Sequence, residues 1–229
     1  MSEPEPTDLD ALVARVDPDR WLSSRFIGDA ALRADVVALY AYDHELARAP
    51  RVASNPLMGE IRLTWWREVL DEAFEGRPVR HHPTAQALAR VIVRHDLPRE
   101  GLETMIDARY RELDAEPMKL FEALNWAKDS GGVCAVLAAQ VLDPKADAGK
   151  AESGGTAWSI GRLMATAGLS GPDADKVLAD ALNGARGLSV DAFPAIAHAT
   201  LSRSRAKGHK PSELSARARV LWAVLRGRV

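Results

Sequence analysis

Residues 33–70 have the sequence RADVVALYAYDHELARAPRVASNPLMGEIRLTWWREVL, and this stretch decides the fold class. Val36, Leu39 and Tyr40 recur at helical spacing, which predicts an amphipathic helix in its first part. The segment from Pro50 to Pro56 contains two prolines and an asparagine, so we expect the helix to end or kink there. The stretch therefore predicts two helices separated by a break.

The second helix is predicted over residues 57–74. Its apolar side would hold Ile61, Trp65, Leu70 and Phe74. Its opposite side would carry Glu68, Asp71, Glu72 and Glu75. Four carboxylates on one helix face can hold Mg²⁺ against a phosphate or form a solvated surface, and the flanking Arg67 and Arg77 favour the surface.

The rest of the chain shows the same helical periodicity, rich in alanine and leucine, without alternating β-branched runs. We therefore predict an all-α fold, with a single domain over residues 8–229 after a disordered segment at residues 1–7. Gly131-Gly132 is the expected weak point of a helix. Residues 145–155 are the expected flexible connection, with a new helix opening at Gly154-Gly155. A further helix is expected within residues 188–204.

Composition limits the possible functions. The chain has 229 residues and a net charge of only −2, so no overall field attracts nucleic acid. Its single cysteine, Cys134, cannot form an internal disulfide. No apolar run approaches the roughly 20 residues of a spanning helix, and the acidic start does not resemble a signal peptide. We expect a cytoplasmic protein, with peripheral attachment at the inner face of a membrane left open.

Common catalytic and metal-binding motifs are missing from the sequence. There is no HExxH or CxxC pattern, and the six histidines are scattered. The chain also has no GxSxG, Walker-type or GxGxxG segment. The sequence therefore predicts neither a zinc site nor nucleotide chemistry.

The C-terminal segment, residues 201–229, is strongly basic. It has an excess of seven positive charges, because Glu213 is its only carboxylate. Apolar residues that include Leu221 and Trp222 accompany the cations, as in segments that bind an anionic membrane surface or an acidic partner. A capping helix with a basic outer face is the alternative. The candidate partner or membrane contacts are Arg203, Arg205, Lys207, Lys210, Arg217 and Arg219.

Several segments resemble the squalene/phytoene synthase family. Residues 38–42, ALYAY, follow Arg33 as in the family's R…ALYAF segment, and residues 63–70, LTWWREVL, are similar to its L..WR..L segment. RYREL at residues 109–113 comes later in the family's order. The resemblance covers residues 21–142 well and the remainder weakly. It implies an isoprenoid-synthase-type helical bundle, shortened in its second half.

The family's enzymes join two prenyl diphosphates with Mg²⁺ held by two aspartate-rich motifs. In the family's register the first motif falls on residues 47–51, ARAPR, and the second falls on residues 155–170. The resemblance therefore implies that both motifs have lost their carboxylates. It implies no cofactor, and Mg²⁺ only if the chain is an enzyme.

ELAR at residues 45–48 and WWRE at residues 65–68 are similar to non-catalytic family members that assist the assembly of respiratory complex I. The resemblance implies a non-catalytic role in binding and assembly at a membrane-associated target. A membrane-protein partner and a prenyl or lipid ligand are compatible with this role. The candidate ligand-pocket or phosphate contacts are Arg33, Tyr40, Asp43, Arg48 and Arg51.

Two alternatives remain open. In the first, the chain is a prenyltransferase acting on isoprenyl diphosphates, with Glu68 or Asp71 as metal ligands and Arg33, Arg48 and Arg51 on the phosphates. In the second, it is a helical interaction module that binds no small ligand. Mg²⁺-dependent consumption of a prenyl diphosphate would distinguish the first from the second.

Overall fold

The structure, a computed structural model, describes residues 8–53 and 55–229, and every regular element in these ranges is helical. This confirms the predicted all-α class. The disorder predicted for residues 1–7 concerns a segment outside the described residues. No helix in the described ranges is both long enough and apolar enough to cross a membrane.

The α-helices are α1 Leu9–Val16, α2 Pro18–Ser24, α3 Ala30–Arg51, α4 Pro56–Phe74, α5 Pro83–His95, α6 Arg99–Tyr110, α7 Leu120–Ala127, α8 Val133–Leu142, α9 Ala148–Ala167, α10 Pro172–Gly184, α11 Ser202–Ala206 and α12 Glu213–Arg226. A π-helical segment, Lys128–Gly132, joins α7 to α8. Three 3₁₀ segments are Arg111–Leu113, Phe193–Ala195 and Ala197–Leu201.

The break between α3 and α4 lies where the sequence predicts it. α3 continues through Pro50 and ends at Arg51. The side chain of Asn55 then accepts a hydrogen bond from the backbone N–H of Met58 at 3.0 Å and caps α4. Asparagine satisfies a free N–H of the first turn in this way, and Pro56 loses nothing at the first helical position because its missing N–H would have had no helical partner.

The centre of the larger core cluster is α3, which is almost continuously buried from Asp35 to Asp43. Its neighbours are α1, α2, α4, α5, α6 and α8. Tyr42 donates its hydroxyl to the carbonyl of Leu102 on α6 at 3.0 Å and meets the ring of Trp66 edge-on at 5.3 Å between centroids. The ALYAY segment is therefore a packing element of the core.

The apolar side predicted for α4 needs correction. The buried side carries Leu63, Trp66 and Leu70, whereas Ile61 is 52% exposed and Trp65 is only half-buried. Residues spaced by three and four positions turn this side toward α3 and α6, which pack against α4. Trp66 thus packs in the core, whereas Trp65 lies partly at the surface.

The break predicted for residues 145–155 is shorter than expected, because only residues 143–147 separate α8 from α9. α9 begins at Ala148, so Gly154 and Gly155 lie within the helix. A Cβ on Gly155 would overlap the carbonyl oxygen of Gly131 in the π-helical segment. These glycines permit a close helix crossing, and the sequence signal of a break was a signal of packing.

The helix expected within residues 188–204 is mostly replaced by 3₁₀ turns that lead into the short α11. Residues 193–199 are all buried. The last helix, α12, packs through Ala216, Val220 and Ala223 and leaves its other side exposed.

Candidate functional site

A cavity of about 590 Å³ lies between α2, α3, α6, α7, α9 and the loop after α11. Its walls carry three carboxylates, Asp17, Asp43 and Glu112. They also carry six cationic side chains, Arg20, Arg51, Arg109, Arg162, Arg205 and Lys210. This excess of cations favours an anionic ligand.

Asp43 of α3 lies at the inner end of the cavity, between two buried arginines. Arg20 of α2 donates to one of its oxygens at 2.5 Å, and Arg109 of α6 donates to the other at 2.6 Å. Burial alone would raise the pKa of Asp43, but the two guanidinium groups outweigh it and hold this pKa well below its ordinary range. Asp43 is therefore ionised, and each of its carboxylate oxygens accepts a hydrogen bond from an arginine.

Arg109 extends this network to Glu112. A second nitrogen of Arg109 donates to Glu112 at 2.6 Å, and the indole N–H of Trp126 donates to the same carboxylate oxygen at 3.1 Å. The Arg109 guanidinium also lies 5.3 Å from the ring centroid of Trp126. Two carboxylates of the cavity are thus bound to the protein's own donors.

Asp17 lines the cavity at the junction of α1 and α2, with the Arg20 guanidinium 3.8 Å from its carboxylate. It accepts a hydrogen bond from the backbone N–H of Arg20 at 3.2 Å and another from Arg162 of α9 at 3.3 Å. Burial raises the pKa of Asp17 despite these positive neighbours. Arg162 also stacks on Trp158, with its guanidinium 4.2 Å from the ring centroid.

Arg51 and Lys210 lie exposed at the rim of the cavity. Arg51 ends α3, and Lys210 belongs to the loop before α12. Arg205 differs from both, because its guanidinium is held by Asp19 in two hydrogen bonds of 2.6 and 2.7 Å. The rim cations are therefore the ones most available to an incoming anion. The apolar residues of the wall are Val16, Ala47, Met118, Leu163 and Ala165.

The squalene/phytoene synthase family model matches residues 13–170, more than half of the chain. The chain belongs to this family. Over almost its whole length it is also similar in structure to squalene synthase HpnC from Alicyclobacillus acidocaldarius, with a TM-score of 0.58 at 18% identity. That similarity covers 96% of this chain and 94% of the other, and it establishes the isoprenoid-synthase fold through the second half as well.

Curated relatives include the NADH dehydrogenase (ubiquinone) complex I assembly factor 6 of Bos taurus and of Homo sapiens. Each is 27% identical over 135 residues, which is 58% of this chain. The chain thus matches about 40% of the length of these relatives.

Some of the residues predicted as ligand contacts line the cavity of about 590 Å³ and others do not. Asp43 and Arg51 line it. Tyr40 lies behind the wall, where its ring is 5.2 Å from the Arg20 guanidinium and its hydroxyl donates to the Ala195 carbonyl at 3.4 Å.

Arg33 and Arg48 were predicted as ligand contacts, but neither residue lines this cavity. Arg33 donates to the carbonyl of Ile27 at 3.1 Å and faces a surface groove near α1. Arg48 is 3.4 Å from Glu45 and lines a second cavity of about 380 Å³ beside Trp65. Arg33 lies ten residues before Asp43, about 15 Å away along the axis of α3, and Arg48 lies roughly 140° around the helix from Asp43.

Of the candidate contacts in the C-terminal segment, residues 201–229, some line the cavity and others do not. Arg205 and Lys210 line the cavity, whereas Arg203 and Lys207 are exposed. On α12, Arg217 pairs with Glu213, and Arg219 donates to the hydroxyl of Ser204 at 2.6 Å.

Glu68 and Asp71, the fallback metal ligands, lie outside the cavity. Arg80 pairs with Glu68 at 2.8 Å, and Arg99 pairs with Asp71 at 2.5 Å. In residues 8–53 and 55–229, no group of three or more His, Cys, Asp or Glu side chains is placed to hold a metal ion.

Five charged residues of the cavity were missed by sequence reasoning, namely Asp17, Arg20, Arg109, Glu112 and Arg162. Asp17 was visible only as the Asp-Pro pair that ends α1, and Arg109 only as part of the RYREL segment. A lone arginine on an amphipathic helix gives no sequence signal that separates a buried ion pair from a solvated side chain.

Proposed function

We propose that this chain is a non-catalytic member of the family, which binds an anionic amphiphile in its cavity without Mg²⁺ and assists the assembly of a membrane-associated respiratory complex. The observation that carries the first part is the pairing of Asp43 with Arg20 and Arg109 at the inner end of the cavity.

A Mg²⁺ site for a diphosphate needs clustered carboxylates with free lone pairs. Here both oxygens of Asp43 accept hydrogen bonds from arginines, and Glu112 accepts from Arg109 and Trp126. Arginines can instead bind phosphate oxygens directly, in bidentate geometry and with full charge at neutral pH. The residues present therefore fit an anion better than a metal ion.

A prenyl or lipid chain suits the remaining space. The cavity volume of about 590 Å³ lies in the range of small-molecule sites, and its wall includes apolar residues beside the cations. We place the anionic head group at Arg51 and Lys210 and the hydrocarbon chain against Met118 and Leu163.

The assembly role is supported by the curated relatives, which are complex I assembly factors. The proposal for this chain is an inherited cavity used for binding, with a respiratory-complex subunit or precursor as the protein partner. Fold similarity alone favours a rival role, a prenyltransferase, because the similar solved structure is a squalene synthase.

Calorimetric titration with a non-hydrolysable farnesyl diphosphate analogue tests the binding proposal. We expect the same dissociation constant in Mg²⁺ and in EDTA, since the protein's own cations neutralise the head group. Arg51→Glu and Lys210→Glu should each weaken binding about tenfold or more, because each removes a charged contact. Arg48→Glu is the matched control, three residues away on α3 and directed to the other cavity.

Tight binding that requires Mg²⁺, or Mg²⁺-dependent consumption of farnesyl or geranylgeranyl diphosphate, would decide for the prenyltransferase. Equal binding by wild type, Arg51→Glu and Lys210→Glu would show that the head group does not bind at the rim.

Deletion of the gene in its own organism tests the assembly role. We expect less mature complex I and full rescue by the wild-type gene. The double variant Glu68→Ala/Asp71→Ala should rescue equally well, because these carboxylates lie on the outer face of α4. Normal complex I after deletion would refute the assembly role, and failure of the double variant at normal protein levels would point to chemistry at these acids.

A further inference from the structure

The outer side of α12 exposes four large apolar side chains. Leu214, Leu221, Trp222 and Leu225 are 79%, 46%, 56% and 69% exposed. The helix is held to the protein by the opposite side, through the small residues Ala216 and Ala223 together with Val220. A cluster of this size on one short helix exceeds the scattered apolar residues of an ordinary surface.

These four residues form one stripe. At 3.6 residues per turn they fall within an arc of roughly 100°, diametrically opposite the buried side. Arg217 borders the stripe on one edge, and Arg219 and Arg226 border it on the other. The guanidinium of Arg226 lies 4.3 Å from the ring centroid of Trp222, so cation and indole sit together at the boundary.

We propose that α12 docks on an anionic lipid surface, with the apolar stripe among the upper acyl chains and the bordering arginines at the lipid phosphates. The positive charge of this surface complements the negative charge of the lipid phosphates. Exposed cations at Arg203, Lys207, Lys210, Arg217, Arg219, Arg226 and Arg228 surround a single carboxylate, Glu213.

The shape of the surface agrees with a fluid lipid layer. The stripe lies on the convex side of a helix, and its side chains line neither of the two cavities described above. A protein groove would have to wrap this convex face, whereas lipid acyl chains rearrange around a Trp- and Leu-bearing helix flanked by arginines. Trp222 also suits the interface, since its ring is apolar and its N–H stays near water.

Docking by α12 would bring the cavity close to the lipid. Gly208, His209 and Lys210 form part of the cavity wall, and α12 begins at Glu213. The inference does not rest on the proposed function, because vesicle binding is measured on the purified protein whether or not the cavity is catalytic.

Vesicle co-sedimentation of the full chain tests the proposal. We expect binding to an equal mixture of phosphatidylcholine and phosphatidylglycerol at low salt, and weak binding to pure phosphatidylcholine or at high salt. Arg217→Glu/Arg219→Glu should lower the partition coefficient at least roughly 25-fold, about fivefold for each lost cation. Leu221→Glu/Leu225→Glu should abolish binding by removing the inserted surface. Val93→Glu, at an apolar residue 77% exposed on α5, is the control and should bind like wild type.

Melting temperatures are measured on the same samples, and we expect little change because the replaced side chains are exposed. Wild-type binding by both double variants, or no binding of the wild type to anionic vesicles, would overturn the proposal. A concentration-dependent dimer that Leu221→Glu/Leu225→Glu dissociates, without vesicle binding, would overturn it in favour of a second copy of this chain.

Discussion

Asp43→Asn is expected to lower the free energy of unfolding by about 3–5 kcal/mol, the usual cost of removing one partner of a buried ion pair. Arg20 and Arg109 would remain buried with their guanidinium groups facing each other across a neutral amide. Neither arginine can escape by losing its proton, since a guanidinium stays charged at any ordinary pH. The decrease in the free energy of unfolding is therefore larger than the net contribution of the ion pair to stability.

Thermal unfolding measures this loss. For a protein of this size the midpoint should fall by about 6–20 °C. Asp107→Asn is the matched control, because Asp107 pairs with Arg67 at an exposed position where the Asp107 side chain is 59% accessible. Exposed pairs contribute only about 0–1 kcal/mol. A loss at Asp43 no greater than the loss at Asp107 would show that the network is not a stabilising unit.

The stability difference between wild type and Asp43→Asn should depend on pH and decrease in acid. The pKa of Asp43 is lowered in the folded state, so its ionised form is stabilised by folding. That contribution is complete above the ordinary pKa of 3.8 and is lost as the pH falls toward the folded value. The difference in stability between wild type and Asp43→Asn should thus stay constant from neutral pH to about 4 and shrink below it.

The sequence predicts the fold well because the signals that define α3 and α4 lie within or next to these helices. Periodic apolar residues, the Pro/Asn break and the asparagine cap act within a few positions of each other, and family segments in fixed order specify the arrangement. Asp43 lines the cavity because it lies one turn after Tyr40 and Leu39 on the inward side of α3.

The cavity itself is not local. Arg20 and Arg109 reach Asp43 from 23 and 66 positions away along the chain. Only the packing of α2 and α6 on α3 brings them together. Arg33 and Arg48 were predicted as phosphate contacts, but Arg33 lies about 15 Å from Asp43 along α3 and Arg48 lies on a different side of the helix. Position along the helix, helical phase and tertiary packing decide which arginines line the cavity.

The ion network and the proposed anion site have a common physical basis. Asp17, Asp19, Asp43 and Glu112 pair with four of the six arginines and lysines of the wall, and these pairs allow Arg20 and Arg109 to be buried. Arg51 and Lys210 add charge at the rim, where water keeps them stable without a ligand. An anion can therefore be bound reversibly at the rim while the inner network keeps the cavity in shape.

Gly155→Val is expected to have the second large effect, a loss of at least about 3 kcal/mol, at the upper end of overpacking costs. A Cβ at this position would overlap the carbonyl oxygen of Gly131 and lie 2.6 Å from the Cβ of Ala135. The obstacle is backbone, so no side-chain rotation relieves it. α9 would have to move away from the π-helical segment, and with it Trp158 and Arg162 of the cavity wall.

Gly149→Val provides the matched control for Gly155→Val, because Gly149 lies on the same helix and is exposed. Its added Cβ would meet only the Asp147 side chain at 3.5 Å, an ordinary contact. Comparison of the two midpoints in denaturant removes the shared effect of valine on helix propensity and leaves the cost of the crossing. Equal midpoints would mean that α9 and Lys128–Gly132 are not in close contact, and the cavity wall that depends on this crossing would have to be placed differently.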